Sequence, residues 1–135
     1  DREALPLLLT LSSGVKGYTT IHAGSSRQAL TRLRFICQLA DTTSELPLSA
    51  LTTPVFEAID VVLHSERGPD PRRRDAAAVS AVEDLIAGAD ASQFTITEVF
   101  HRRTVRDQIA ATGSVPSRLT ALFERAGLDM SDYLR

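Results

Sequence analysis

Apolar and polar positions repeat with helical spacing between residues 26 and 40. The apolar side chains recur every three or four residues, which is typical of an amphipathic helix. They are Ala29, Leu30, Leu33, Ile36, Cys37 and Ala40. The intervening positions predict a solvated face, formed by Arg27, Thr31, Arg34 and Gln38. Ser25 and Gln28 have the spacing of a capping box, so we expect the helix to begin at Ser25.

Two other helices are predicted in the first half of the chain. Residues 3–11 are mostly apolar, and Pro6 fits a helix there only if it lies in the first turn. Gly14 suits the left-handed position that ends such a helix. Residues 46–58 predict the second helix, which Pro54 should kink or split.

A last helix is predicted near the C-terminus. Its apolar positions are Leu119, Leu122, Phe123 and Ala126. Pro116 stands near its start and Gly127 follows its end, which is the usual order of these two residues around a helix.

Residues 17–22 are β-prone and end in a histidine. Thr19, Thr20 and Ile21 are β-branched and follow Tyr18, so the pattern predicts a buried strand. His22 would lie at the carboxyl end of this strand. In open α/β sheets that edge is where ligands bind, because loops and helix N-termini meet there.

Three later segments predict an antiparallel meander. Residues 59–64 form an apolar run typical of a strand buried on both faces. Residues 77–85 and 93–102 predict two further strands, with residues 88–92 as the hairpin loop between them. The edge or tip of this meander is a plausible contact for a partner protein.

The stretch from Gly14 to Ser25 resembles the His box of the type II/IV secretion ATPases, in particular the branch that drives Flp (tad) pili and conjugation-like export. In that family a short strand ends in Thr-Ile-His-Ala, followed by a Ser-Pro-Arg cap and an Ala-Leu helix. This chain keeps the histidine, the serine, the arginine and the Ala-Leu pair, at His22, Ser25, Arg27, Ala29 and Leu30. The resemblance extends from Glu3 to about Leu128.

The chain also departs from the family pattern. Ser26 stands where the family often has proline, and the linker from Gly17 to Thr19 is one residue shorter. Pro54 interrupts a helix that is continuous in the family. The His box therefore remains the most specific part of the resemblance.

The resemblance implies an α/β fold: the C-terminal part of a RecA-like P-loop NTPase core, with strands flanked by helices and an antiparallel meander near the C-terminus. The family forms cytoplasmic hexamers, peripheral to the inner membrane, that hydrolyse ATP with Mg²⁺ to move pilins or secreted substrates through membrane platform proteins. Carried over, His22 is the nucleotide sensor beside the γ-phosphate, Thr20 supports it, and Arg27 contacts phosphate or a neighbouring subunit.

The sequence has no G-x-x-x-x-G-K-[ST] motif to bind the β and γ phosphates. We therefore expect the chain to be the C-terminal portion of a longer enzyme or a truncated product, inactive by itself and without a cofactor. The family's His-box strand lies between the Walker A and Walker B strands. Without them, we expect the strand of residues 17–22 to pair with another chain, to lie at an edge, or to require the missing half.

Composition narrows the remaining classes. The length of 135 residues predicts one domain, residues 1–135, with a sizeable core. A net charge of −2 gives no reason to expect a nucleic-acid partner. The single cysteine, Cys37, is expected in the core. A disulfide framework is excluded because there is only one cysteine, and its absence suits a cytoplasmic protein. We predict no metal site.

Two alternatives to the ATPase assignment remain open. The chain could be a non-catalytic interaction or oligomerisation module that uses the meander and the C-terminal helix. A third possibility is RNA or DNA binding through Arg72 to Arg74 and Arg102-Arg103, although a solvated turn explains the triplet more simply. His64 is expected to face solvent or a hydrogen bond in the core rather than a ligand.

Overall fold

The computed structural model describes residues 3–40, 47–68, 72, 77–87, 94–104 and 106–135. It contains both helices and a four-stranded sheet, which agrees with the predicted α/β class at that level. The described residues divide into two compact units. The first comprises those within Asp1–Asp60 and Leu85–Thr95, and the second those within Val61–Asp84 and Ile96–Arg135.

The first unit is mainly helical. Its helices are α1 (Ala4–Ser12), α2 (Ser26–Ala40) and α3 (Thr52–Ala58), and the last follows a 3-10 turn at Leu48–Leu51. All three α-helices contact one another. Their apolar faces, with two residues from neighbouring strands, form a core of Leu8, Leu30, Cys37, Leu51, Val55, Leu85 and Phe94.

Proline and glycine mark the helix ends as expected. Pro6 is the third residue of α1, where a helical N–H has no partner to lose. Gly14 follows that helix with φ of +96°, a conformation that side chains with a Cβ rarely adopt. Pro54 is likewise the third residue of α3, so it splits the predicted 46–58 segment into a 3-10 turn and a helix rather than kinking a continuous one.

Arg34 corrects the expectation of a fully solvated polar face on α2. Its side chain is buried, at 8% exposure, between α2 and the start of α3. The guanidinium donates a hydrogen bond of 2.8 Å to the hydroxyl of Thr52 and lies 4.8 Å from the ring centroid of Phe94. Burial lowers the pKa of Arg34, because the charged form loses hydration. The hydrogen bond and the aromatic ring offset part of that cost.

We expect Arg34→Ala to lower the free energy of unfolding by about 2 kcal/mol, since it removes a charged hydrogen bond and leaves the buried Thr52 hydroxyl without this donor. The stability of Arg34→Lys should fall between those of the wild-type chain and Arg34→Ala, because an ammonium lacks the planar group that lies over Phe94. Urea titration followed by circular dichroism measures both. The matched control on the same helix is Arg32→Ala, an exposed arginine, with a small expected effect. Equal losses for Arg32→Ala and Arg34→Ala would contradict the buried role.

Cys37 is fully buried in this core, as predicted. Burial raises the pKa of its thiol, because the thiolate would lose hydration. The folded state therefore favours the protonated thiol. This contribution to stability is complete below the unfolded pKa and disappears as the pH rises through the folded pKa.

We therefore expect the free energy of unfolding to fall above pH about 8.5, by at most about 1.4 kcal/mol per pH unit from this thiol. Cys37→Ala should be less stable at neutral pH because of the cavity, yet should lose less on going to alkaline pH. Urea titrations of both proteins at neutral and alkaline pH measure the difference. Identical alkaline losses would show that the thiol plays no part.

The second unit contains most of the sheet. The strands are β1 (Val61–Arg67), β2 (Ala77–Ala87), β3 (Phe94–His101) and β4 (Ala110–Ala111), in that spatial order. β1 pairs antiparallel with β2, and β3 with β4. The three longer strands confirm the predicted meander, whereas β4 was not predicted. The hairpin loop predicted at residues 88–92 lies outside the described residues.

β1 is an edge strand, so the prediction that it is buried on both faces is wrong. Its side chains are half-buried or exposed, and Leu63 retains 61% of its accessible surface. An apolar run is compatible with an edge position because single exposed apolar side chains are common on protein surfaces. Between His64 and Ser65 the register shifts, and Ser80 of β2 has no residue opposite it in β1.

The last helix, α4 (Ser117–Arg125), begins against a buried carboxylate of β2. Oδ2 of Asp84 accepts hydrogen bonds from the backbone N–H of Ser117 at 3.1 Å and from its hydroxyl at 3.4 Å. Asp84 is 1% exposed. A carboxylate at a helix N-terminus satisfies a free N–H and complements the helix dipole. Gly127, with φ of +69°, ends the helix as predicted.

Candidate functional site

The predicted strand of residues 17–22 does not form. Residues 15–23 have no regular secondary structure, and Tyr18, Thr19, Thr20 and His22 are exposed. None of the four strands in the described part of the chain pairs with this segment. Strand propensity is weak compared with the requirement for a hydrogen-bonded neighbour, and that neighbour is absent from the described sheet. We call residues 15–23 the His22 segment.

The His22 segment is attached at both ends to the first unit. At its start, Gly17 lies so close to α1 that a Cβ at this position would come within 2.9 Å of Cδ2 of Leu11. Lys16 lies 3.5 Å from the carboxylate of Asp60, with both groups exposed. At its end, the carbonyl oxygen of His22 accepts a hydrogen bond of 3.0 Å from Arg32 of α2.

The three residues assigned to a nucleotide site are placed differently. The side chains of Thr20 and His22 are exposed, and the described residues give neither a hydrogen-bond partner. Arg27 lies in the first turn of α2, where its Nη1 donates a 2.8 Å hydrogen bond to the carbonyl oxygen of Phe94. No contact between the described residues brings these three side chains together. The imidazole of His22 is accessible, whereas the guanidinium of Arg27 already donates one hydrogen bond.

The cap of α2 confirms the prediction that Ser25 caps this helix. The hydroxyl of Ser25 accepts a hydrogen bond of 3.2 Å from the N–H of Gln28. Oε1 of Gln28 accepts one of 3.1 Å from the N–H of Gly24. The first bond is that of a capping box, whereas Gln28 accepts from Gly24, the residue before the N-cap, rather than from Ser25 itself. Together the two bonds hold the loop against the helix. His22 therefore lies three residues before the cap of α2, at the end of the helix where the dipole is positive.

His64 occupies the partly buried position expected for a histidine with a hydrogen bond in the core. Nδ1 of His64 lies 3.3 Å from the hydroxyl of Ser80 and 3.9 Å from a carboxylate oxygen of Glu66. Both neighbours approach the same ring nitrogen. A Ser-His-Glu relay needs the serine on one nitrogen and the carboxylate on the other, so this cluster lacks the geometry for nucleophilic catalysis.

Other charged groups form no recognisable site within the described chain. Nδ1 of His101 lies 3.2 Å from a carboxylate oxygen of Glu98, and both side chains are substantially exposed. No group of three or more potential metal-binding residues occurs among the described residues. Arg72 and Arg103 are exposed, whereas Arg73 and Arg74 lie outside the described residues.

Comparisons with known proteins add no assignment: no protein-family model matches the chain, and neither does any curated protein. Across the described ranges, no helix is both long enough and apolar enough to cross a membrane.

Sequence reasoning missed two buried polar residues, Arg34 and Asp84. For Arg34 a signal was present, because it lies four residues after Leu30 and three before Cys37, on the line of the buried face. For Asp84 no local signal exists, since its partner, Ser117, is 33 positions away in the chain.

Proposed function

We propose that the chain is the C-terminal part of the motor domain of a secretion ATPase that powers protein secretion, pilus assembly or conjugative transfer. In this proposal His22 senses the γ-phosphate of ATP that is bound by another part of the enzyme. Thr20 supports the His22 segment, and Arg27 is a weaker candidate for contact with phosphate or a neighbouring subunit. ATP and Mg²⁺ belong to the complete enzyme, which would act as a hexamer with inner-membrane platform proteins.

One observation carries the proposal. A β-prone segment with the residue pattern of a His box presents an accessible imidazole just before a capped helix, while its backbone has no strand beside it in the described sheet. These are the properties expected of a segment whose strand partners lie elsewhere. An accessible imidazole could orient water or respond to charge at the γ-phosphate once those partners are in place.

The proposal divides the chemistry between two parts of a protein. This chain supplies the histidine, and its sequence contains no loop that could bind the β and γ phosphates. We therefore expect no binding of ATP to this chain when measured by isothermal titration calorimetry. A micromolar affinity would contradict the proposed division.

In the longer enzyme implied by the resemblance, we expect His22→Ala to lower ATP turnover by roughly 100-fold, the lower end of the range for a lost acid–base or orienting group. Steady-state phosphate release measures it. His64→Ala is the matched control, because His64 is held by Ser80 in the second unit and should leave turnover nearly unchanged. Normal turnover after His22→Ala would reject the sensor role. A gene whose reading frame before Asp1 encodes no phosphate loop would reject the ATPase assignment itself.

A second candidate function is self-association without nucleotide binding. It is favoured by exposed apolar side chains and by the free edge of the sheet. Leu9 and Leu39 are exposed by 55% and 75%, and Phe35 by 49%, on helices of the first unit. On β1, Leu63 is exposed by 61%. Phe35 and Leu39 lie four residues apart on α2 and therefore share one face of the helix, and adjacent exposed apolar side chains favour association more than isolated ones do.

A further inference from the structure

We propose that residues 16–22 of one copy of the chain add as an antiparallel strand to the outer edge of β1 in a second copy, and that the exchange is reciprocal. The inference rests on the second proposed function, self-association, and identifies the surfaces that would carry it. Every copy has both a β-prone segment without a strand partner in the described sheet and a strand, β1, at the outer edge of that sheet. Two copies therefore satisfy both requirements in a closed, symmetric pair.

The incoming strand is part of the His22 segment. Thr19, Thr20 and Ile21 favour the extended backbone, and the side chain of Tyr18 is fully exposed, at 103%. Among the described residues, the segment's backbone makes one hydrogen bond, from Arg32 to the carbonyl oxygen of His22. Its remaining N–H and C=O groups are available for a ladder.

The receiving strand is β1. It is the outermost strand of the described sheet and pairs with β2 on its inner side. Asp60 and the first six residues of β1 together offer as many positions as residues 16–22. An edge strand of this length, with an exposed Leu63, is a template for the addition of another strand.

Charge favours one antiparallel register. When Lys16 lies opposite Glu66 in an antiparallel pair, His22 lies opposite Asp60. The two ends of the incoming strand thus place a cation and an imidazole against carboxylates, which favours cross-strand pairing. A parallel strand with Lys16 opposite Asp60 would also place His22 opposite Glu66, but the β1–β2 and β3–β4 pairs of this sheet are antiparallel. Mixing of charge-reversal variants separates the two directions, because only the antiparallel pair places residue 16 opposite residue 66.

The same antiparallel register matches the side chains between these ends. Ile21 lies opposite Val61, and Thr20 opposite Val62. β-branched pairs of this kind are among the favourable cross-strand neighbours. Tyr18 lies opposite His64, which allows the exposed phenol ring to cover the imidazole.

Little has to be broken before the strand can pair. The contact between Lys16 and Asp60 joins side chains that are 78% and 40% exposed, and such pairs contribute little to stability. Glu66 lies 3.9 Å from Nδ1 of His64, with its own side chain 53% exposed. Both carboxylates thus remain accessible to a second copy.

The test is charge reversal followed by mixing. We expect the wild-type chain to form a dimer with increasing concentration in sedimentation velocity. Lys16→Glu and Glu66→Lys should each weaken the dimer about tenfold, because each places like charges opposite one another at both symmetric contacts. An equimolar mixture of these two variants should regain the wild-type affinity, since in the mixed dimer every cation again faces a carboxylate. The double variant, Lys16→Glu with Glu66→Lys, should behave likewise.

Glu124→Lys is the control, an exposed charge reversal on α4 that should leave the dimer unchanged. If a reversal variant fails to fold, as judged by circular dichroism, hydrogen exchange of the wild-type chain decides instead. Protection of the amides of residues 17–22 should increase with protein concentration. Protection that is independent of concentration would overturn the proposal.

The outcomes separate the inference from the function on which it rests. A chain that stays monomeric up to millimolar concentration would overturn both. A dimer whose affinity is unchanged by the charge reversals and by the mixing would overturn the strand exchange. It would leave self-association through another surface intact.

Discussion

The backbone of a β-strand needs a hydrogen-bonded neighbour, and this requirement governs the most informative part of the molecule. Residues 17–22 have the side chains of a strand, but no strand of the described sheet lies beside them, and they adopt no regular structure. The sequence of β1 is less strongly β-prone, yet β1 forms because β2 lies next to it. Propensity therefore selects the candidates for strands, whereas pairing decides which of them form.

Two buried polar side chains stabilise the elements that carry these segments. Arg34 joins α2 to the first residue of α3, so it fixes the helix in front of which His22 lies. Asp84 joins β2 to the start of α4. In each case the charged group has a defined hydrogen-bond partner, which limits the free-energy cost of removing that group from water. The bond from Arg34 to Thr52 lies within the first unit, and the bond from Ser117 to Asp84 lies within the second.

Local patterns predicted the helices well, because their signals are contained within a few residues. The cap at Ser25, the proline at position 54 and the glycine at position 14 each act within one helical turn. Two errors concern properties that depend on distant residues: the edge position of β1 and the missing partner of residues 17–22. The burial of Arg34 was missed although its spacing from Leu30 and Cys37 pointed to it. For the candidate site, the sequence identified the accessible histidine but could not show that Arg27 bonds to Phe94.

The irregularity at Ser80 has a consequence for the solubility of the molecule. Edge strands are often shielded from unintended aggregation by a bulge of their own, but here the unmatched residue belongs to the inner strand, β2. All seven residues of β1 have a partner in β2, so β1 has no bulge residue of its own at its outer edge. Its protection against apolar strands therefore depends on the charged side chains of Glu66 and Arg67. In the proposed exchange Glu66 would have both tasks, to deter apolar strands and to pair with Lys16, whereas Arg67, beyond the paired residues, would have only the first.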